Sequence, residues 1–480
     1  MRFSSIAIAS LVLSVLGCAI QSVPLGRQLT QAVTIDGEYI HWREHIIDDA
    51  ALAGFNLNGS DGLVVGDLDG DGFDDVVSVH EYDAGYDSSV YDADFEAPAD
   101  GHVRIAFGSS DPQVWFNVTL AQGLEAPAPE DAALADVNGD GFLDVMVATE
   151  LSHLIYLQNP GSDVRNPAAW PRLILPMTQN RGSYIRVFLS DLDGDGQPEA
   201  VAPNKGAQRP GPEHFASKQP VSIFKVIGDP LAADGWQEQV LGEFSVPQNA
   251  EPVDMDGDGD FDVIVGSRGE GRLVLFENTG GLNFTPRAVT IQGGDMSGFN
   301  MDYADLNGDG RLDIIADSQA GWSWIAQPKD LTQPWQLHTI GAFPPDRRIG
   351  LITADIDGDG DLDLMTGSYS KGDRQDESNI QLSDPAGRLA WFENPGVQKL
   401  HLGWQRHDIS RRKRGMFDKF IARDVNGDGY VDFLSTRGNS YPYDGVFWLE
   451  QVRSTQPAPA FTPARLVDSE EISLPGSVPE

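Results

Sequence analysis

Short apolar runs alternate along this chain with polar turns rich in aspartate and glycine. The runs Val76-Val77, Val145-Met146-Val147, Val263-Ile264-Val265 and Ile314-Ile315 are mostly β-branched and bounded by turn residues, so they predict strands rather than helices. They recur in a fixed order. A strand such as 62–66 or 351–354 comes first, an acidic turn follows, and the β-branched run comes next. A third strand is aromatic and often ends in Asn, as in 154–159, 273–278 and 389–394, with 446–449 as a further copy. A fourth often opens with Trp, at Trp170, Trp236, Trp335 and Trp404.

The acidic turn reads Asp-x-(Asp/Asn)-Gly-Asp-Gly-x-x-(Asp/Glu) and is written seven times, starting at Asp67, Asp136, Asp191, Asp254, Asp305, Asp355 and Asp424. The copies lie roughly 50–70 residues apart, a period that points to propellers or solenoids. Four short strands in each of seven repeats make an all-β, seven-bladed β-propeller. Candidate fourth strands outnumber the turns. The extra one lies at residues 42–47, and 461–467 offers another at the carboxyl end. Ring closure removes exposed sheet edges. The amino-terminal strand is expected to complete the last blade, with the carboxyl-terminal one packed outside it.

The turn has the chemistry of a cation loop. Its acids stand at alternate positions, so a tight loop turns them inward, and Gly72 supplies a bend that a β-carbon resists. Hard oxygen ligands in such a loop suit Ca2+ better than zinc or copper. The ligand candidates in the first three copies are Asp67, Asp69, Asp71, Asp75; Asp136, Asn138, Asp140, Asp144; and Asp191, Asp193, Asp195, Glu199. The other four copies offer Asp254, Asp256, Asp258, Asp262; Asp305, Asn307, Asp309, Asp313; Asp355, Asp357, Asp359, Asp363; and Asp424, Asn426, Asp428, Asp432. An EF-hand needs Glu at the twelfth position. That position holds Ser78, Val147, Ala202, Val265, Ala316, Thr366 and Ser435, which excludes it. The alternative of an acidic turn without metal is strongest at the third copy, where Pro198-Glu199 replaces the usual pair.

These residues resemble the integrin-type FG-GAP and bacterial VCBS repeat families over roughly residues 38–468. The resemblance implies a propeller with up to seven Ca2+, each loop joining the first two strands of its blade. It leaves function open, because such propellers serve adhesion, glycan binding and catalysis.

Net charge is −40, which at long range repels nucleic acid and anionic lipid. The amino end has a basic start, an apolar stretch 6–16 and small residues, a secretory signal too short to remain as a membrane span. Val15-Leu16-Gly17-Cys18 resembles a bacterial lipobox, and Cys18 is the sole cysteine. The resulting division is a signal at 1–18, a tether at 19–37, the propeller at 38–468 and a disordered tail at 469–480. The protein is expected to be exported, as an outer-membrane lipoprotein or in secreted or periplasmic form.

A binding site is expected on the face opposite the cation loops, where three long connections lie at 79–102, 203–220 and 367–388. Basic residues gather there: Arg411-Arg412-Lys413-Arg414, Lys419, Arg347-Arg348, Arg186 and Lys218. They suggest an anionic ligand held by Arg forks, or else a solvated charge run. Tyr82, Tyr86, Tyr91, Tyr184, Tyr441 and Tyr443, with Trp322 and Trp324, are candidates to stack on sugars or else to pack the loops down; His80, His153 and His214 are site candidates, whereas His338 and His407 read as structural. Two functions compete. One is a surface propeller that binds an extracellular polysaccharide or glycan without chemistry. The other is β-elimination on an anionic, uronate-containing polysaccharide, suggested by resemblance to seven-bladed ulvan lyases. The Trp-x-x-His-x-Ile and Trp-Phe-Glu-Asn strands are also similar to the propeller of aldos-2-ulose dehydratase. Elimination needs a cation at the carboxylate and a base at the adjacent proton. Tyr184, Arg181, Lys205, Arg209 and His214 are the candidates for these roles. The chain has no Gly-x-Ser-x-Gly, P-loop or dinucleotide fingerprint.

Overall fold

The computed structural model describes residues 23–82, 100–372 and 376–475. Seven antiparallel sheets follow one another along the chain. Blade 1 is Ser60–Gly66, Asp75–His80, His102–Phe107 and Phe116–Gln122, and blades 2 to 6 repeat that order up to Gln405–Arg412. Blade 5 carries a further short strand, Ile291–Gln292, parallel to the outside of Trp335–Gly341.

Apolar residues on both faces of each sheet explain the near-continuous burial of the second and third strands. Seven apolar clusters result, each lying between two consecutive blades. Val77, Val79 and Ile105 of blade 1 meet Val145, Val147 and Ile155 of blade 2. At the other end Leu434, Val446 and Trp448 of blade 7 meet Leu63, Val76 and Ala106 of blade 1, so the ring is closed.

Blade 7 is composite. Phe420–Arg423, Asp432–Arg437 and Gly445–Ser454 come from the carboxyl end, and the amino-terminal Tyr39–Asp49 is the fourth strand. It pairs antiparallel from Tyr39↔Ser454 to Asp49↔Gly445. Phe461–Thr462 lies parallel outside it, as the surplus of strands predicts. Two segments differ from expectation. Residues 23–37, read as part of a tether, are laid onto the ring: Leu25 and Ala32 are buried, and Thr30 N donates to Ala458 O at 2.8 Å. Residues 469–475, read as part of a disordered tail, dock on the outer edge of blade 6. There Ile472 N donates to Arg411 O at 2.7 Å, and Glu471 pairs with Arg412 in an antiparallel backbone bridge. An uncovered strand edge attracts such pairing, and composition alone does not reveal the edge. The signal, Cys18, Tyr86, Tyr91 and the last five residues lie outside the described residues.

Candidate functional site

All seven acidic turns join the first and second strands of their blades, on one face of the ring. Their geometry repeats. The first aspartate folds back onto the loop: Asp67 accepts from Gly70 N at 2.8 Å and from Gly72 N at 2.9 Å. Asp254 accepts from Gly257 N at 2.9 Å and Gly259 N at 3.1 Å, and Asp424 from Gly427 N at 2.8 Å and Gly429 N at 2.9 Å. Both glycines have positive φ, 73° at Gly70 and 88° at Gly72, which explains why the motif needs two.

In the first, fourth and sixth loops the three aspartates, such as Asp67, Asp69 and Asp71, place carboxylate oxygens within 4.8 Å of one another, and in the third Asp191, Asp193 and Glu199 do so. That span fits across one cation with metal–oxygen bonds of about 2.4 Å. In the fifth loop Asn307 Oδ1 is buried without a hydrogen-bond donor, an orphaned acceptor at a ligand position. The donor set therefore fits an oxygen-liganded divalent cation. The ninth position plays a different part from the first, third and fifth. Asp75 is fully buried, and accepts from Leu68 N at 2.8 Å and Gly108 N at 2.9 Å, so it ties the loop to the third strand. Asp262, Asp363 and Asp432 make the corresponding pairs. Burial pushes the Asp75 carboxyl up to about 7 and Asp363 to about 8. One lone pair per oxygen remains for a cation.

The opposite face holds an axial cavity of about 640 Å³ to which every blade contributes. Its walls are the starts of first strands and the ends of second strands. Blades 1 and 2 supply Asp61, Glu81, Glu130 and Glu150; blades 3, 4 and 6 supply Lys205, Arg209, Arg268 and Arg348. Asp61, Glu81 and Glu130 are buried and bring oxygens within 4.8 Å of one another. Burial, and then the charges of Glu150 and Asp61, hold the Glu130 carboxyl well above the usual range. Lys205 Nζ donates to Glu150 and Arg348 Nε to Asp317. Phe215, Phe299 and Tyr369 add aromatic surface, with the Arg268 guanidinium 5.7 Å from the Phe215 ring.

Of the five residues nominated for elimination, Lys205 and Arg209 line this cavity. The others do not. Tyr184 is 1% exposed within the core between blades 2 and 3, and burial pushes its phenol up to about 12. A tyrosine base needs access and an available deprotonated form, and this one has neither. Arg181 is turned to Glu238, Nη1 to Oε2 at 2.6 Å. His214 Nδ1 accepts from Gly211 N at 3.0 Å at the start of a short helical turn.

The basic run 411–414 is also corrected. Arg411 and Arg388 both donate to Asp346, and all three side chains are fully buried. Arg412 donates to Ser469 O at 3.0 Å and lies over the Phe461 ring, and Arg414 donates to Lys371 O at 2.7 Å. These arginines hold the carboxyl-terminal segment and the neighbouring loop rather than a ligand. Arg186 is buried, donating to Asn300 Oδ1 at 2.8 Å and Asp418 Oδ2 at 3.3 Å. His80 sits between Ser60 Oγ at 2.7 Å and Ser78 Oγ at 3.0 Å, and His153 packs on Glu125 O at 2.8 Å, so both are structural. Trp322 and Trp324 are buried and offer no sugar platform. The carboxylates Asp61, Glu81, Glu130 and Glu150 escaped sequence reasoning. Their signal is positional: each stands at the start of a first strand or just past the end of a second.

With this geometry in hand, the chain can be set beside known proteins. A family model described as an FG-GAP-like repeat matches residues 136–202 and 254–316, so the chain contains FG-GAP-like repeats. No curated protein matches it. Among solved structures, a lectin of Agrocybe aegerita described as recognising non-reducing terminal N-acetylglucosamine is 14% identical. The match covers 88% of this chain and 98% of that one, with a TM-score of 0.45. A rhamnogalacturonan lyase of Bacillus licheniformis is 14% identical over 94% of this chain and 77% of that one, with a TM-score of 0.44. A second rhamnogalacturonan lyase gives the same identity, coverage and TM-score.

Proposed function

We propose that this protein is an exported propeller, stiffened by Ca2+ in its loops, that binds an acidic glycan in the axial cavity. The observation that carries the reading is the composition of that cavity. Blades 3, 4 and 6 bring Lys205, Arg209, Arg268 and Arg348 to it, blades 1 and 2 bring four carboxylates, Asp317 and Asp418 come from blades 5 and 7, and the rings of Phe215, Phe299 and Tyr369 lie among the basic residues. Guanidinium groups hold carboxylate or sulfate. Carboxylates accept hydrogen bonds from sugar hydroxyls, and ring faces cover the apolar side of a sugar. Export, with a lipid on Cys18 as the anchor, supplies the calcium and the polysaccharide that this reading needs. Intact mass of the membrane-extracted protein tests the anchor.

Binding is tested by titrating uronate-containing oligosaccharides into the full mature chain and into Arg209→Ala. A lost charge-assisted hydrogen bond corresponds to roughly a tenfold to hundredfold drop in affinity. Failure to bind any acidic glycan overturns the reading. Ultraviolet absorbance from unsaturated uronates, growing with time in the same mixtures, replaces it with elimination, for which a base other than Tyr184 is then required.

A further inference from the structure

The third cation loop differs from the others in what stands beside it. We propose that its cation is part of the chain: the Lys225 ammonium, rather than a divalent ion, neutralises Asp193, Asp195 and Glu199. This rests on reading the remaining loops as divalent-cation sites. Lys225 Nζ donates to Asp193, to Asp195 Oδ2 at 2.7 Å and to Glu199 Oε1 at 3.0 Å. It is carried by the third strand of blade 3, Gln219–Val226, one residue beyond Phe224, which pairs with Ala200. At that register the other blades place Phe107, Gln158, Glu277, Ala326, Glu393 and Glu450. Blade 3 alone places a cation there, and a rigid strand aims it.

The departure at Pro198-Glu199 now has a physical account. In other loops the ninth-position Asp gives both oxygens to backbone N–H groups, as Asp262 does with Met255 and Asn278. The longer Glu199 keeps the first of these, Leu192 N at 2.9 Å, and its other oxygen reaches Lys225. Arg165 beside the first loop is a different case. It is half exposed and approaches Asp69 at 2.5 Å and Asp71 at 3.4 Å, and in the fifth loop Arg311 donates to Asp309, but neither arginine donates to the ninth-position acid as Lys225 does to Glu199. A lysine within hydrogen-bond reach of three carboxylates adds one positive charge where a divalent ion adds two. The two compete for the same oxygens, and the tethered one has no association entropy to overcome.

The test uses crystals of the full mature chain soaked in Mn2+, read by anomalous difference maps, for the unaltered protein and for Lys225→Gln. Peaks in other loops with none in the third, and a new third-loop peak in Lys225→Gln, are the expected result. Elemental analysis in solution should then count one more ion per chain in the variant. A peak in the third loop of the unaltered protein overturns the lysine assignment alone, as does a third loop that stays empty in Lys225→Gln while the others fill. Peaks in no loop overturn the cation-loop reading and the assignment with it.

Discussion

A side chain's environment, more than its type, decides what it does here, and the acids inside the ring show this most directly. Glu251 of blade 4 faces Asp302 of blade 5, Lys419 of blade 7, Asn249, Arg186 and the Tyr303 hydroxyl, whose oxygen lies 3.5 Å away. Burial pushes its carboxyl up to about 7 from 4.5, with Asp302 adding to the rise and Lys419 opposing it. The folded state thus holds a proton between about pH 4.5 and 7 that the unfolded chain has released. More protons on the folded side means that stability falls as pH rises through that window. Glu251→Gln should flatten this part of the profile, so that its melting temperature exceeds that of the parent at pH about 8 and matches it at about 4. Calorimetry across that range checks it, and an unchanged slope contradicts it. The same dependence on surroundings separates Arg209, which reaches the cavity, from Arg411, which is sealed against Asp346.

At the scale of elements, two recurring devices account for sequence signatures whose purpose was not legible. The Trp of a third strand and the His of a fourth are direct cross-strand partners. Trp324 with His338, Trp391 with His407 and Trp448 with His45 all stack at 4.3–4.4 Å between ring centres. The amide that ends a third strand is a staple between blades. Asn159 Nδ2 donates to Leu68 O of the previous blade's acidic loop at 2.9 Å, and Asn278 Nδ2 to Leu192 O at 2.7 Å. Gln327 and Gln451 do the same toward Met255 O and Ile356 O. Asn278→Ala leaves the buried Leu192 carbonyl and the part-buried Phe261 carbonyl without their donor, a loss of about 1–3 kcal/mol. Denaturant unfolding should show that drop, and hydrogen exchange should quicken in the loops of both blades 3 and 4; quickening in blade 4 alone would contradict the staple. The strand order, the loops and the surplus closing strand were readable because each rests on short-range pattern repeated many times. The face that holds the cavity, with Lys205 and Arg209, was readable, but the rest of its lining was not. Whether a basic residue is sealed depends on one acid from a distant segment, as Arg411 depends on Asp346, and no local spacing reports that pairing.

For the whole molecule the decisive feature is that one blade is built from both ends of the chain. Every other blade folds from a contiguous stretch, whereas blade 7 needs Tyr39–Asp49 to travel around the ring and pair with Gly445–Ser454. Its anchor is Trp42, fully buried against Phe433 with ring centres 5.6 Å apart and flanked by Phe461. Loss of a buried Trp side chain costs about 3–5 kcal/mol through lost burial and the cavity left behind. In this fold the consequence is not confined to one blade, because the cluster holding Trp42 also contains Ile356, Met365 and Trp391 of blade 6. Opening the ring also bares the Gly445–Ser454 edge, which invites pairing with another chain. Trp42→Ala should therefore lower the melting temperature more than an equally buried substitution within one contiguous blade, such as Trp236→Ala, and should bring concentration-dependent association visible by light scattering below the melt. A disulfide joining the closing strand to its partner should suppress that association without restoring the lost core. Equal effects from the two tryptophan substitutions, with no association in either, would mean that ring closure is no weaker than any other seam.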